Sequence, residues 1–182
     1  MVDGVVADLF LGTAMVETHI RRAERRDLAR ITEIYNHYVL NTPVTFDVEA
    51  YTVERREPWF AQFGATGRYR LQVAEQDGVV MGYAGTTPFR SKAAYETTVE
   101  TTIYCAPEAV GMGLGKRLYS ELFASLEGED IHRFVAVYAL PNAATEALHR
   151  RFGFKVVGVF SENGRKFGKY WDVCWLERAG SS

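Results

Sequence analysis

Three glycines alternate at positions 111, 113 and 115 in VGMGLGKRLY, and Lys116 and Arg117 follow at once. Glycine lets a backbone come close to a ligand and adopt conformations closed to other residues. From there Leu114, Leu118 and Leu122 recur every four residues, the spacing of one helical face. Upstream, Val99, Ile103 and Tyr104, interleaved with Thr97, Thr98, Thr101 and Thr102, read as a strand that Pro107 ends. Strand, glycine-rich turn and helix N-terminus together make an anion site, because unpaired N–H groups point outward and the helix dipole favours negative charge. A phosphate-bearing ligand is the expectation; a plain structural turn is the alternative. Two common phosphate motifs fail here. A nucleotide P-loop needs a Ser or Thr after Gly-Lys, where this chain has Arg117, and a Gly where it has Val110. The dinucleotide fingerprint needs a third glycine at Lys116 or Leu118.

The same strand carries an acid. Alternation puts Thr98, Glu100 and Thr102 on one face, with Glu96 four residues earlier as a second carboxylate. A carboxylate there could take the proton of an attacking amine, directly or through water, a role that typically contributes roughly 10²–10⁴-fold in rate. The alternative is a solvated strand residue paired with a lysine. Cys105 has no local His, Lys or Asp to lower its pKa and reads as a small hydrophobe rather than a nucleophile. His19, His37 and His132 share no spacing, so no metal is expected. The 2 cysteines lie far apart without a CxxC pattern, as in a protein of the reducing cytoplasm. A net charge of −2 argues against nucleic acid as a partner, and no apolar run reaches the roughly 18 residues of a membrane span.

The glycine loop resembles the pyrophosphate loop of the GNAT acyltransferases, which bind acetyl-coenzyme A at a strand–turn–helix of this kind. Its usual form is Gln or Arg, two residues, Gly, one residue, then Gly or Ala. Gly113 and Gly115 match, while Val110 stands at the first position and removes a side-chain contact but no backbone amide. Upstream, PFRSKAAYETTVETTIY is similar to the substrate-side segment of the phosphinothricin acetyltransferase subfamily, in which a basic loop leads through Ala-Tyr into Thr-Val-Glu-Ser/Thr-Thr-Val/Ile-Tyr. The likeness continues in ALPN at 139–142, LHRRFGF at 148–154 and GRKFGKYWDV at 164–173, and covers nearly all of 20–178.

The resemblance implies an acetyl-CoA-dependent N-acetyltransferase working by direct transfer, with Glu100 as base. It implies a sheet that splays after Ile103, freeing amides near Tyr104 and Cys105 to steady the thioester oxygen and to pair with the pantetheine arm. Cofactor contacts would then come from Ile103, Tyr104, Cys105, Gly111, Met112, Gly113, Leu114, Gly115, Lys116 and Asn142. His149 stands four residues before Gly153, where many relatives carry a tyrosine that protonates the departing thiolate. It reads equally as an acid or as a mere cofactor contact. Arg90 and Lys92 would hold an acceptor carboxylate, or are simply solvated; Phe46 and Tyr95 would wall the acceptor. Gly164, Lys166, Gly168 and Asp172 match the subfamily's C-terminal pattern, with Tyr170 where tryptophan is usual. The acceptor implied is the amine of a small amino acid or of a toxic analogue such as phosphinothricin or methionine sulfoximine or sulfone. A peptide or protein N-terminus, or a non-catalytic acyl-CoA sensor, are the alternatives. A homodimer is implied as well.

The elements that must position these residues form a single α/β domain over 18–182, a mixed and largely antiparallel sheet flanked by helices, preceded by an extension over 1–17 expected to be poorly ordered. Strands are expected at 19–22, 70–75, 79–87, around 99–104, at 134–140 and 169–176, with a further run from 154 to 160. Asp77-Gly78 and Asn163-Gly164 are expected to turn two hairpins. Helices are expected over 27–40, 53–63, from the glycine turn to about 128, and after Asn142 with Ala144, Leu148 and Phe152 inward.

Overall fold

The computed structural model describes residues 17–180; the expected extension over 1–17 lies outside them except for Glu17. In chain order the elements are β1 (Thr18–Arg22), α1 (Leu28–Asn41), α2 (Val53–Phe60), β2 (Leu71–Gln76), β3 (Val79–Pro88), β4 (Thr98–Cys105), α3 (Leu114–Ser125), β5 (Arg133–Ala139), α4 (Ala143–Arg151), β6 (Lys155–Lys166) and β7 (Lys169–Ala179). They build one 7-stranded sheet in the order β1-β2-β3-β4-β5-β7-β6. Every neighbouring pair is antiparallel except β4 and β5, which run parallel because α3 carries the chain back across the sheet.

Helices cover both faces of the sheet, and strand alternation says which. Tyr104 of β4 packs against Tyr35 and Tyr38 of α1, at centroid distances of 5.1 and 5.2 Å. Its neighbour Ile103 points the other way and comes within 3.7 Å of where a side chain on Gly115 of α3 would begin. Leu28, Ile31, Ile34 and Val39 of α1 and Leu114, Leu118, Tyr119 and Leu122 of α3 are buried, and Leu114, Leu118 and Leu122 are the helical face read from the sequence.

Three local expectations change. The second helix stops at Phe60 rather than Phe63: the Gln62 side chain takes the Trp59 carbonyl, and Phe63 N–H bonds back only three residues, to Phe60. Asn163-Gly164 does not turn the last hairpin. It sits in a bulge of β6 between Phe160 and Gly164, and the turn is Phe167-Gly168, both at positive φ of 53° and 76°. In α4 Leu148 and Phe152 pack against the core as expected, but Ala144 is exposed and His149 is the buried residue of the helix.

The start of α1 is pinned by charge. Asp27 is buried and accepts from Arg21 at 2.6 and 2.8 Å and from the Glu24 amide at 2.7 Å, while Arg21 also reaches Glu75 of β2. Burial alone would raise the Asp27 carboxyl, but the Arg21 and Glu24 hydrogen bonds outweigh it and hold the carboxyl below its ordinary value. A depressed carboxylate contributes stability at neutral pH that is lost as pH falls through its folded value. Asp27→Asn is expected to lose about 2 kcal/mol and to lower the melting temperature by roughly 4–8 °C, with the deficit shrinking in acid. Thermal melts of both proteins at neutral pH and near pH 3 check this.

Candidate active site

The parallel pairing of β4 and β5 lasts for three residues: Thr98 with Arg133, Val99 with Phe134 and Glu100 with Val135. Beyond that the strands diverge, although β3 stays paired to β4 as far as Cys105 and β7 stays paired to β5 as far as Ala139. The sheet therefore opens after Glu100, three residues earlier than the expected Ile103. Thr101 marks the fork: its hydroxyl donates to the Val135 carbonyl at 3.2 Å, side chain replacing ladder.

Register decides which backbone groups face the gap. Phe89 N–H bonds the Thr98 carbonyl and Ala106 N–H the Met81 carbonyl, which fixes 98, 100, 102, 104 and 106 as the residues bonded to β3. The N–H and C=O groups of Thr101, Ile103 and Cys105 consequently turn toward β5. Ile103 and Cys105 are the open amides, whereas the Tyr104 amide expected there belongs to the β3 ladder. The Cys105 carbonyl accepts from the Tyr38 hydroxyl at 2.6 Å, which leaves its N–H as the open group; the side chain is half-buried and in no disulfide, its thiol pushed up to about 11 by burial, in keeping with a hydrophobe.

The glycine bend lies at one mouth of this gap. Gly111 and Gly113 adopt φ of 87° and 75°, and Gly113 is the residue from which α3 starts. No acceptor among the described residues meets the amides of Gly113, Leu114 or Gly115. Gly115 serves packing: a side chain there would begin 3.2 Å from Leu148 of α4. Val110, Met112, Lys116 and Arg117 are exposed around the bend, and Asn142 caps α4 by accepting from Thr145 N–H at 3.1 Å. The bend is thus an open, positively flanked set of N–H groups, the arrangement that receives phosphate.

A cavity of about 450 Å³ passes through the gap, from Tyr119, Thr145 and His149 on the α3–α4 side to Glu100, Thr102, Tyr104 and Phe46 on the α1–α2 side. Glu100 is half-buried, and its carboxylate has no hydrogen bond or ion pair among the described residues, so it is not the lysine-paired surface acid of the alternative reading. Desolvation raises its pKa, with the charge of Arg90 pulling the other way. Glu96 is exposed and bonded to Arg68 at 3.0 Å, which removes it as a second base.

His149 is buried. Its Nδ1 lies 2.8 Å from the Thr145 carbonyl and must be the protonated nitrogen, since a carbonyl only accepts; its Nε2, 2.9 Å from the Tyr119 hydroxyl, then accepts. Burial lowers its pKa, the Thr145 bond offsetting part of that. It is a neutral imidazole with both nitrogens engaged, and its role as an acid is not supported by this geometry.

Of the acceptor residues expected, Phe46 lines the cavity and Arg90, Lys92 and Tyr95 do not. Arg90 and Tyr95 line a separate cavity of about 430 Å³ behind Trp175, and Lys92 is exposed. Phe46 is held from two sides. Its ring lies on Gly164, where any side chain would collide with it, and buried Lys166 donates to the Thr45 carbonyl at 2.7 Å. Asp172 accepts from Glu162 N–H at 2.8 Å and Gly168 makes the hairpin turn, so the C-terminal pattern is architectural. Sequence reading missed Arg56, Tyr83, Tyr119 and Trp175. Arg56 had a signal, an arginine on the apolar stripe of α2 three residues before Trp59.

Residues 20–175 match the family model for the acetyltransferase (GNAT) domain, and the chain belongs to that family. It is 50% identical over 169 residues to a phosphinothricin N-acetyltransferase of Streptomyces coelicolor, covering 92% of this chain and 98% of that one. It is 36% identical to an L-methionine sulfoximine/L-methionine sulfone acetyltransferase of Salmonella typhimurium, over 87% of this chain and 92% of that one. A phosphinothricin acetyltransferase of Sinorhizobium meliloti, solved with acetyl-CoA, superposes with a TM-score of 0.84 at 34% identity, over 90% of this chain and 89% of that one. The protein is an acetyl-CoA-dependent N-acetyltransferase, with acetyl-CoA as co-substrate.

Glu100→Gln is expected to keep acetyl-CoA affinity and lower kcat by roughly 10²–10⁴-fold. Because the raised carboxyl makes ionisation unfavourable in the folded state, Glu100 lends stability below its unfolded pKa that is lost as pH rises through its folded value; the amide variant should therefore melt no lower than wild type at pH 7. Isothermal titration, thiol-release kinetics and melts measure the three quantities, and unchanged kcat would remove Glu100 as base.

Proposed function

We propose that the acceptor is the amine of a small amino acid or of a toxic amino-acid analogue, of the phosphinothricin or methionine sulfoximine/sulfone type. One observation carries this reading: the cavity that reaches Glu100 through the β4–β5 gap is about 450 Å³, the size of a small-molecule site, and is walled by Phe46 and Trp59. That favours a compact acceptor over a peptide N-terminus. The relatives named for phosphinothricin and methionine sulfone acetylation support the same class.

Transfer is direct in this account. The diphosphate of acetyl-CoA rests on the amides from Gly113 to Gly115, with Lys116 and Asn142 beside it. The pantetheine arm runs along β4 as an added strand, bonded to the backbone of Ile103 and Cys105. An amide of that open edge steadies the thioester oxygen, a contribution that typically reaches roughly 10²–10³-fold in turnover. The amine nitrogen attacks the acetyl carbonyl carbon, the C–N bond forms, Glu100 takes the amine proton, and the C–S bond breaks. Coenzyme A leaves as a thiolate, which at the ordinary thiol pKa of about 8.5 collects its proton from water. His149 accepts from the Tyr119 hydroxyl and positions it, and gives no proton to the departing thiolate.

A homodimer belongs to the same reading, and exposed apolar side chains at one edge of the sheet support it. On the edge strand β6, Val157 and Phe160 are 63% and 55% exposed and lie beside exposed Val156 and Val159. Unpaired Cys105 and Cys174 accord with a cytoplasmic setting.

Free-thiol release should follow L-phosphinothricin, L-methionine sulfone and L-methionine sulfoximine, and stay at background with short peptides. Preference for a peptide would sink the small-acceptor reading; acetyl-CoA binding without release to any amine would sink transfer itself.

A further inference from the structure

Arg56 of α2 is 6% exposed and lines the same cavity as Glu100. No carboxylate among the described residues pairs with it, and its Nε is buried without a hydrogen-bond partner. Three aromatic rings lie against it: the guanidinium carbon sits 3.7 Å from the Trp59 ring centre, 4.4 Å from Tyr35 and 5.4 Å from Tyr51. The hydroxyl of Tyr83, which lines the same cavity, is also buried and unpartnered. Asp47 faces this region but is engaged by the Tyr35 hydroxyl at 2.6 Å.

Such an arrangement is expensive on its own. Taking an isolated cation out of water is unfavourable, and each buried polar atom left unsatisfied adds to that cost. Ring contacts offset only part of it. An anion entering the cavity would satisfy the guanidinium, and the phenol could donate to the same anion. The cavity also has polarity along its length. Tyr83 pairs with Tyr104 and Thr87 with Glu100, so the arginine end and the carboxylate end lie four residues apart on the strands, or about 14 Å between backbones. Side chains reaching inward from both ends leave the span of an amino acid. Arg90, expected to supply the acceptor's counter-charge, is in the other cavity.

We infer that Arg56, with the Tyr83 hydroxyl, is the oxyanion-binding end of the acceptor pocket, and that it selects amines bearing an oxyanion over neutral amines of the same shape. The inference rests on the small-acceptor reading and adds the residue that enforces it. Two sources share the chemistry: the α-carboxylate, or a side-chain oxyanion such as phosphinate. The planar guanidinium presents paired donors to either.

The test compares kcat/KM for L-methionine sulfone with that for its α-carboxamide, and for L-phosphinothricin with that for L-methionine sulfone, in wild type, Arg56→Gln and Tyr83→Phe. Wild type should favour the more anionic member of at least one pair by about 10²-fold, carried mostly in KM, and Arg56→Gln should bring that ratio to within about 3-fold of unity. Collapse of the first ratio identifies the α-carboxylate, collapse of the second the side-chain anion. Tyr83→Phe should reduce the same ratio by a smaller factor. Acetyl-CoA affinity, unchanged in each variant, reports an intact fold. Should Arg56→Gln fail that control, Arg56→Lys, which keeps charge and loses the paired donors, is expected to lower the ratio about 10-fold. Ratios that survive in these variants, or a wild type with no preference in either pair, overturn the role of Arg56 while leaving acetyl transfer to small amines in place. No release with any of the three compounds overturns the small-acceptor reading and the anchor with it.

Discussion

Everything in this site depends on where β4 and β5 stop pairing. A continuous parallel ladder would bury every backbone group of β4 between two neighbours and leave no room for a ligand. Ending the ladder at Glu100 and Val135 does two things at once. It exposes one edge of β4 as hydrogen-bonding backbone, and it opens a passage joining the two faces of the sheet. The two ends of the cavity are then joined beside the Glu100 carboxylate. Divergence is tolerated because each half keeps a partner: β3 holds β4, and β7 holds β5. Unmade backbone bonds in a buried site are costly, and an extended arm of the cofactor is the natural group to satisfy them.

The two faces solve different problems. On the α3–α4 side the parts are fixed by close backbone approach. Gly115 lets α3 pack against Leu148, and Asn142 starts α4 at the angle that buries His149 under Tyr119. On the α1–α2 side the parts are side chains, and they are positioned by a connector with no regular structure. Residues 42–51 are held by Tyr35 to Thr45 and Asp47, by Asn36 to Tyr51, and by Lys166 to Thr45. A loop tied at so many points presents Phe46 rigidly, while loops remain the parts of a fold that diverge most readily. The division suits an enzyme whose co-substrate is common to its family and whose acceptor is its own.

Much of this was legible in the sequence, and what was not has physical causes. Period and turn chemistry placed the strands, the glycine bend and the cap at Asn142, because these are local. The Asn163-Gly164 turn misled for the opposite reason: local preference favoured a hairpin there, but pairing with β7 extends to Lys166 and absorbs the dipeptide as a bulge. Glu100 could be found on its strand, whereas the point of divergence could not, since it depends on a partner strand more than thirty residues away. His149 was visible as a residue but not as a neutral one, because its protonation follows from Tyr119 and Thr145. Arg56 went unread because a charged side chain on an apolar stripe is ordinarily solvated; only the tertiary fold closes three rings around it.

The central claim is that the arm of acetyl-CoA bonds to the open edge of β4, and amide hydrogen exchange tests it residue by residue. On addition of acetyl-CoA, the amides of Ile103 and Cys105 should become strongly protected, while those of Thr102 and Tyr104, already bonded to β3, should change little. Protection at Gly113 to Gly115 without any at Ile103 and Cys105 would contradict the account: the diphosphate would be bound, but the arm would not lie in the gap beside Glu100.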